Sequence, residues 1–177
     1  TMKLFQHSGN CHLNKVLKAA AHPSISLVVL LLVTILIVPS FASYHSNGKL
    51  MLEGNYVNGK KEGIHKEYYE NGELLDKANY KNGKREGLRK WYYKDGQLRG
   101  EANYKNGKKS GVSRVYYESG ELMTEDNYKN GKREGTSTGY FKSGAYMFID
   151  TYKDGKKINR KAYTARGKLE FDQDYPQ

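Results

Sequence analysis

The chain repeats itself every 24 residues, and this period constrains its fold more than any other feature. Five tyrosines recur at that spacing, each leading into an Asn-Gly or Asp-Gly pair and a lysine: Tyr56, Tyr80, Tyr104, Tyr128 and Tyr152. Self-similarity at a fixed period of this size is typical of repeat proteins, in which each unit packs mainly on its neighbours. The period therefore favours a binding or structural module over an enzyme with one deep pocket.

Each repeat contains two turn signals, which predict a β-hairpin. A second signal follows the first about half a period later: Asn71-Gly72, Asp95-Gly96, Ser119-Gly120 and Ser143-Gly144. Asn-Gly and Asp-Gly favour two-residue hairpin turns because both central residues need positive φ. The spacing predicts an all-β chain, an elongated and twisted antiparallel meander of tandem hairpins with about 11 strands from Lys49 to Tyr175.

A glycine also recurs inside one strand of each repeat, four residues after the first-turn glycine: Gly63, Gly87, Gly111 and Gly135. A glycine within a strand typically marks a bulge, a bend or the close approach of another group. Its recurrence predicts that every repeat bends at the same place.

Adjacent aromatic residues recur as well, in the pairs Tyr68-Tyr69, Tyr92-Tyr93, Tyr116-Tyr117 and Tyr140-Phe141. Neighbours on a strand face opposite ways, so these pairs predict aromatic rows on both faces. We expect the rings to pack against one another as the main apolar fill. The alternative is an exposed row that stacks on a ligand. Trp91 is the best candidate for exposure, because its equivalents Glu67, Val115 and Gly139 are not of one type.

The first 43 residues differ from the rest of the chain. All 19 acidic residues lie at or after Glu53, and all 16 tyrosines lie at or after Tyr44. Residues 25–38 form an almost purely apolar run, expected to be helical, with lysines before it and small residues after it. This layout is typical of an export signal cleaved after Ala42. An uncleaved membrane anchor is the alternative.

Residues 44–177 are expected to form the repeat domain, with a degenerate C-terminal cap at residues 156–177. Both interpretations of residues 1–43 place this domain on the periplasmic or extracellular side of a bacterial cytoplasmic membrane, because the lysines ahead of the apolar run favour the cytoplasm. If the run stays uncleaved, it anchors the protein in that membrane.

The formal net charge is +11, and a basic pair follows each first turn: Lys60-Lys61, Lys84-Arg85, Lys108-Lys109, Lys132-Arg133 and Lys156-Lys157. We expect these pairs to line one edge of the sheet. Such a row can attract acidic polymers, anionic lipid or an acidic protein surface. It can also serve only solubility and edge protection, and Glu62, Glu86 and Glu134 beside it cancel part of its charge.

No residue pattern predicts catalysis or metal binding. Of the five histidines only His65 lies inside a repeat, and the single cysteine, Cys11, precedes the apolar run. Neither supplies the converging ligands that a zinc site needs. The recurring Glu62, Glu86 and Glu134 share one environment, whereas paired catalytic carboxylates need different ones. We therefore expect no enzyme activity, no metal and no cofactor.

Residues 80–98, Tyr-Lys-Asn-Gly-Lys-Arg-Glu-Gly-Leu-Arg-Lys-Trp-Tyr-Tyr-Lys-Asp-Gly-Gln-Leu, and the neighbouring units resemble the MORN repeat family in its bacterial variant form. The similarity covers residues 48–157 and extends more weakly to residue 175. Similar variant repeats occur in the YwqK family of antitoxins and in exported bacterial proteins. The resemblance implies stacked antiparallel hairpins that bind proteins, and sometimes lipid, without catalysis.

Together these features predict a non-catalytic, envelope-associated module that presents a tyrosine-rich, cation-edged β surface to an unidentified protein partner. One alternative is a binder of anionic lipid, glycan or another acidic polymer, and another is an antitoxin or immunity protein. No specific nucleic-acid partner is expected. The candidate partner-binding residues are four aromatic residues, placed on one face by strand alternation, and six cations at the turns: Trp91, Tyr69, Tyr93, Tyr117, Lys84, Arg85, Lys108, Lys109, Lys132 and Arg133.

Overall fold

The computed structural model describes residues 4–5 and 40–176. Every regular element in these residues is a strand: β1 Leu4–Phe5, β2 Ser40–Tyr44, β3 Leu50–Val57, β4 Lys60–Tyr68, β5 Leu74–Lys81, β6 Lys84–Tyr92, β7 Leu98–Lys105, β8 Lys108–Tyr116, β9 Leu122–Lys129, β10 Lys132–Tyr140, β11 Tyr146–Lys153, β12 Lys156–Tyr163 and β13 Leu169–Asp174.

The 13 strands form a single sheet in chain order, β1 to β13, and each strand is antiparallel to the next. The prediction of an all-β antiparallel meander is confirmed, and β3–β13 supply the expected number of strands. The helix expected at residues 25–38 lies outside the described residues. Within the described part, no helix is long and apolar enough to cross a membrane.

Strand β2 crosses the boundary that the sequence suggested between residues 43 and 44. It pairs with β3 along its length, and the ring of Phe41 meets the ring of Tyr56 edge-on at 5.8 Å. The sheet therefore includes Ser40 to Ser43, and cleavage after Ala42 would fall within β2. The start of β2 is difficult to recognise in the sequence, because Phe41 follows closely on the apolar run at residues 25–38.

The first turn of each repeat has the predicted geometry. Asn58 and Gly59 form a two-residue loop between β3 and β4, with φ of 51° and 72°. The four later first turns also have positive φ at both central residues. The recurrence of Asn or Asp before the glycine follows from this requirement, because these side chains tolerate the left-handed region better than most.

The second turn differs from the prediction of a two-residue loop. The amide of Gly72 donates to the carbonyl of Tyr69 at 2.9 Å, and the amide of Tyr69 donates to the carbonyl of Glu73 at 2.8 Å. Only the glycine has positive φ, at 93°. The loop is thus a turn followed by a left-handed glycine. Ser119 and Ser143 can replace asparagine because their position needs no positive φ.

The recurring strand glycines mark bulges, as predicted. Glu53 pairs with Lys66 whereas Asn55 pairs with Glu62, so β4 carries two more residues than β3 across this interval. Gly63 has φ of 70°, and a Cβ added there would meet nothing within 4 Å. Its backbone conformation, rather than lack of space, therefore requires glycine.

The two faces of the sheet differ in burial. One cross-strand ladder, here called the inner ladder, runs through nine strands from β4 to β12: His65, Ala78, Arg89, Ala102, Ser113, Asp126, Ser137, Asp150 and Arg160. It defines the inner face, and directly paired residues share a face. Among the described residues the only buried apolar side chains are Ala78 and Ala102. The fully buried positions of this face are therefore mostly polar.

The opposite, outer face is followed by a second ladder through eleven strands from β3 to β13, here called the outer ladder: Glu53, Lys66, Lys77, Lys90, Glu101, Arg114, Glu125, Thr138, Ile149, Lys161 and Asp172. Its residues are half-buried or exposed. The outer face is thus the open side of the sheet.

Candidate interaction surface

The first-turn tyrosines form a row on the inner face in which cations lie between the rings. Lys61 lies 5.0 Å from the ring centre of Tyr80, and Arg85 lies 5.8 Å and 5.6 Å from those of Tyr80 and Tyr104. Lys109 and Arg133 cover the next rings in the same way. Direct contact between rings is found at the start of this row, where Phe41 and His65 meet the ring of Tyr56. The second residue of each basic pair points inward and makes a cation–π contact.

Buried carboxylates on the inner face are paired with cations. Asp150 is 1% exposed, and it accepts hydrogen bonds from Arg160 at 2.6 Å and 2.8 Å and lies 2.8 Å from Lys157. Burial opposes its ionisation, but these two cations prevail and hold the pKa of Asp150 below its ordinary value. Asp76 and Asp126 pair with arginines in a similar way. The buried acids of the inner face are therefore neutralised by cations of the same face.

His65 is part of this packing. Its ring lies between Tyr56 and Tyr80, with centroid distances of 5.3 Å and 5.0 Å, and its Nε2 is 2.8 Å from the carbonyl oxygen of Asn55. Burial lowers the pKa of His65, although the contact with Asn55 opposes the shift. In residues 41–176 no three His, Cys, Asp or Glu side chains are grouped to hold a metal ion.

Trp91, the leading sequence candidate for an exposed contact, is half-buried on the inner face. The Arg89 guanidinium lies 4.8 Å from its ring centre. Its ring also lies against Gly100, its partner on β7. The indole of Trp91 therefore contacts Arg89 and Gly100 of its own sheet.

The three candidate tyrosines also bond within the sheet. The hydroxyls of Tyr69, Tyr93 and Tyr117 donate to the carbonyls of the next repeat, at 2.7 Å to 2.8 Å: Tyr92, Tyr116 and Tyr140. All three rings are half-buried at the start of the second turn. Each hydroxyl ties one hairpin to the next, which gives these tyrosines a structural role.

The six candidate cations fall into two sets. Lys84, Lys108 and Lys132 are exposed, and together with Lys60 and Lys156 they form a row of lysines along the turn edge. Their partners in the basic pairs, Arg85, Lys109 and Arg133, are half-buried on the inner face. Only the first residue of each pair is therefore freely presented.

Backbone and carboxylate hydrogen bonds join successive first turns. The amide of Gly107 donates to the carbonyl of Arg85 at 2.9 Å, and the amide of Asn106 donates to the carboxylate of Glu86 at 2.8 Å. Glu62 and Glu134 bond their next turns at the same distance. The recurring glutamates thus hold the turn edge in register, a role that sequence reasoning missed.

Charges along the outer ladder pair across strands in most repeats. Glu53 accepts hydrogen bonds from Lys66 at 2.6 Å and from the Tyr68 hydroxyl at 2.8 Å. These bonds lower the pKa of Glu53, with the Lys66 contribution the larger. Arg114 lies 3.5 Å from Glu101 and 2.7 Å from Glu125. The ladder is therefore largely neutralised by its own acids and bases.

A groove of about 370 Å³ opens on this face over β5, and Ile64, Leu88, Lys77, Lys90 and Tyr92 contribute to its lining. Sequence reasoning missed it. The available signal was a departure from the repeat pattern, because Lys77 stands where three other repeats have glutamate. A second signal was the aliphatic residue after three of the four strand glycines, Ile64, Leu88 and Val112, with Thr136 after the fourth.

Comparison with known proteins bears on the repeats directly. The family model for the MORN repeat variant matches residues 41–58, 61–82, 85–106 and 109–130. These tandem segments contain the second turns up to Gly120, the bulge glycines Gly63, Gly87 and Gly111, and the two ladders up to β9, and the gaps between segments fall at the first turns. No curated protein matches the chain.

Proposed function

The chain belongs to the MORN repeat variant family, and on that basis we propose that it is a non-catalytic module that binds a protein partner. It would use the outer face and the lysine-bearing turn edge of its sheet. The proposal retains the location expected from residues 25–38, with the repeats outside a cytoplasmic membrane. The inner face supports this choice of surface, because its buried acids are paired with cations and four of its first-turn tyrosines also lie against cations of the same face.

The observation that carries the proposal is the exposure of aliphatic side chains among lysines on the outer face. Ile64 is 52% exposed and Leu88 is 46% exposed, and Lys77 and Lys90 lie with them around one groove. Apolar surface rimmed by polar groups is typical of interaction sites.

The test is affinity capture from native membranes with the full chain in uncharged detergent. We expect one stoichiometric protein to remain bound through a high-salt wash. The double variant I64S/L88S should lose it. V57S, which removes another exposed aliphatic side chain at the turn edge, is the matched control and should keep it. Equal capture by the double variant and the control would reject the outer face as the binding surface.

A second candidate function is binding of an anionic polymer or lipid surface by the turn edge. It is favoured by the exposed row of lysines at positions 60, 84, 108, 132 and 156. Binding of this kind weakens steeply with ionic strength. Capture of lipid or polysaccharide alone, lost at high salt and lost in K84E/K108E, would support this function in place of the first.

A further inference from the structure

Lys77 breaks the charge pattern of the outer ladder. At the same place in three other repeats stand Glu53, Glu101 and Glu125, and each of these acids pairs with a cation on a neighbouring strand. The glutamates of the other repeats therefore serve as a reference for Lys77. Among the four charged residues at this place in the outer ladder, Lys77 alone is positive, and the fifth equivalent residue is the uncharged Ile149.

The exchange puts three lysines side by side. Lys66 is directly opposite Lys77 on one side, and Lys90 is directly opposite it on the other. Like charges in direct cross-strand register destabilise a sheet. Lys66 and Lys90 each have a glutamate on the far side, whereas Lys77 forms no ion pair with any residue of the described part. The outer ladder thus carries unneutralised positive charge at Lys77 on β5.

In the first repeat, the equivalent of Lys77 is Glu53, which shows how a carboxylate is bound at this position of the outer ladder. Glu53 receives one hydrogen bond from Lys66 and one from the hydroxyl of Tyr68. One repeat later, the equivalents of these two donors are Lys90 and Tyr92. Both of these side chains line the groove over β5. The donors for a carboxylate are therefore present beside Lys77.

The groove offers apolar contacts as well as charge. Ile64 and Leu88 stand on the strands either side of β5, and both are about half exposed, at 52% and 46%. A bare anion would leave these aliphatic side chains uncovered. An acidic residue flanked by aliphatic residues would cover them and bring its carboxylate to the lysines.

We propose that this groove binds a glutamate or aspartate side chain of a protein partner, with flanking aliphatic side chains against Ile64 and Leu88. The ligand carboxylate takes the electrostatic place that Glu53, Glu101 and Glu125 take in the other repeats. This inference rests on the proposed protein-binding function and assigns the chemistry of the partner segment. Charge complementarity identifies the occupant as an acidic peptide.

The test is a chemical-shift titration of the ¹⁵N-labelled full chain in uncharged detergent with the peptide acetyl-Leu-Glu-Leu-amide. Shifts should centre on β4, β5 and β6. The glutamine peptide should bind about tenfold more weakly or worse, because a hydrogen bond to a charged group contributes at least that factor. The experiment needs no captured partner, so its failure is distinct from failure of the proposed function.

K77E is the decisive variant, because it introduces the acid found at this place in three other repeats. We expect it to raise the unfolding midpoint and to abolish binding of the glutamate peptide, so lost binding cannot come from lost folding. K105E makes the same charge change at an exposed strand end and should bind like the unaltered chain.

Equal binding of the glutamate and glutamine peptides, or equal binding by K77E, would overturn the proposal. Two further ligands are titrated under the same conditions: inorganic phosphate, and phosphatidylglycerol in mixed micelles with the same detergent. If either shifts the same residues while the glutamate peptide does not, the groove recognises a phosphate group and the acidic-peptide assignment is wrong.

Discussion

Trp91 lies against Gly100, its direct partner on the neighbouring strand. A Cβ added at Gly100 would stand 2.4 Å from Cζ2 of Trp91 and 2.7 Å from the carbonyl oxygen of Arg114. The same relationship joins Phe148 to Gly139. These two large rings of the inner face thus occupy the space that a side chain would fill on the neighbouring strand, and glycine opposite the ring leaves that space open.

Two classes of glycine should respond differently to substitution. G100A should cost about 1–3 kcal/mol of unfolding free energy, because the added methyl overfills occupied space. G111A should cost about 1–2 kcal/mol, because alanine disfavours the left-handed backbone, although the space there is open. Asparagine should be better than alanine at position 111 and worse at position 100. Urea unfolding of the four variants checks this, and the same ranking at both positions would contradict it.

His65 should make stability depend on pH in mildly acidic solution. Burial lowers the pKa of His65 in the folded state below the reference value of 6.5, so the unfolded chain takes up the proton first. Stability is therefore full above pH 6.5 and falls as pH decreases below it. The variant H65S adopts the residue found at the equivalent Ser113 and Ser137. Urea midpoints at several pH values should show a smaller acid loss for H65S, and equal losses would refute the assignment.

Asp150 should be the most costly acid to neutralise on the inner face. D150N leaves Arg160 and Lys157 without their carboxylate, and we expect a loss of about 2 kcal/mol at neutral pH. This is less than for a fully buried pair, because the two cations are 31% and 25% exposed. Because the pKa of Asp150 is lowered by folding, its contribution is present above about pH 3.9 and lost as pH falls further.

The matched control for D150N is D172N. Asp172 lies on the outer ladder and pairs with Lys161 at 3.4 Å in exposed surroundings, where ion pairs contribute little. Thermal unfolding should barely change. A loss in D172N as large as in D150N would show that burial does not set the difference.

Position 110 should accept a stabilising substitution. Ser110 stands where three other repeats have a glutamate that accepts a hydrogen bond from the next turn. S110E should supply the same bond to the amide of Asn130 and raise stability by about 0.5–1 kcal/mol. E86S should lose a similar amount. Unfolding of both variants in urea provides the measurement, and no gain in S110E would argue against the turn-bracing role of the glutamates.

The sequence predicted the backbone well because its information is local. Asn58-Gly59 needs two positive φ angles, and Gly63 needs one, so residue type and spacing identify both features. The sequence does not predict the length of the second loop, because Asn71-Gly72 and Ser143-Gly144 are compatible both with a two-residue hairpin loop and with the longer loop observed. What decided between these loops was the register of the strands on either side, which no dipeptide contains.

The candidate surface was less predictable because it depends on which side chain meets which. Lys84 and Arg85 are adjacent cations of similar chemistry, yet one is exposed and the other lies between tyrosine rings. The position of Trp91 holds different residue types in other repeats, and tryptophan fits here because its partner on the next strand is Gly100, not because the position is exposed. Lys77 became informative only when register placed Lys66 and Lys90 beside it.

The bonds between successive first turns have a consequence for reach. Each repeat adds two strands, and neighbouring strands lie about 4.8 Å apart, so the exposed turn lysines recur at intervals of about 10 Å. Because each turn bonds only to its neighbours, duplication of one unit would add one lysine to this row and leave the spacing of the others unchanged. The number of repeats then sets the length of the row, so a partner with acidic groups about 10 Å apart would be selected by its length as well as by its charge.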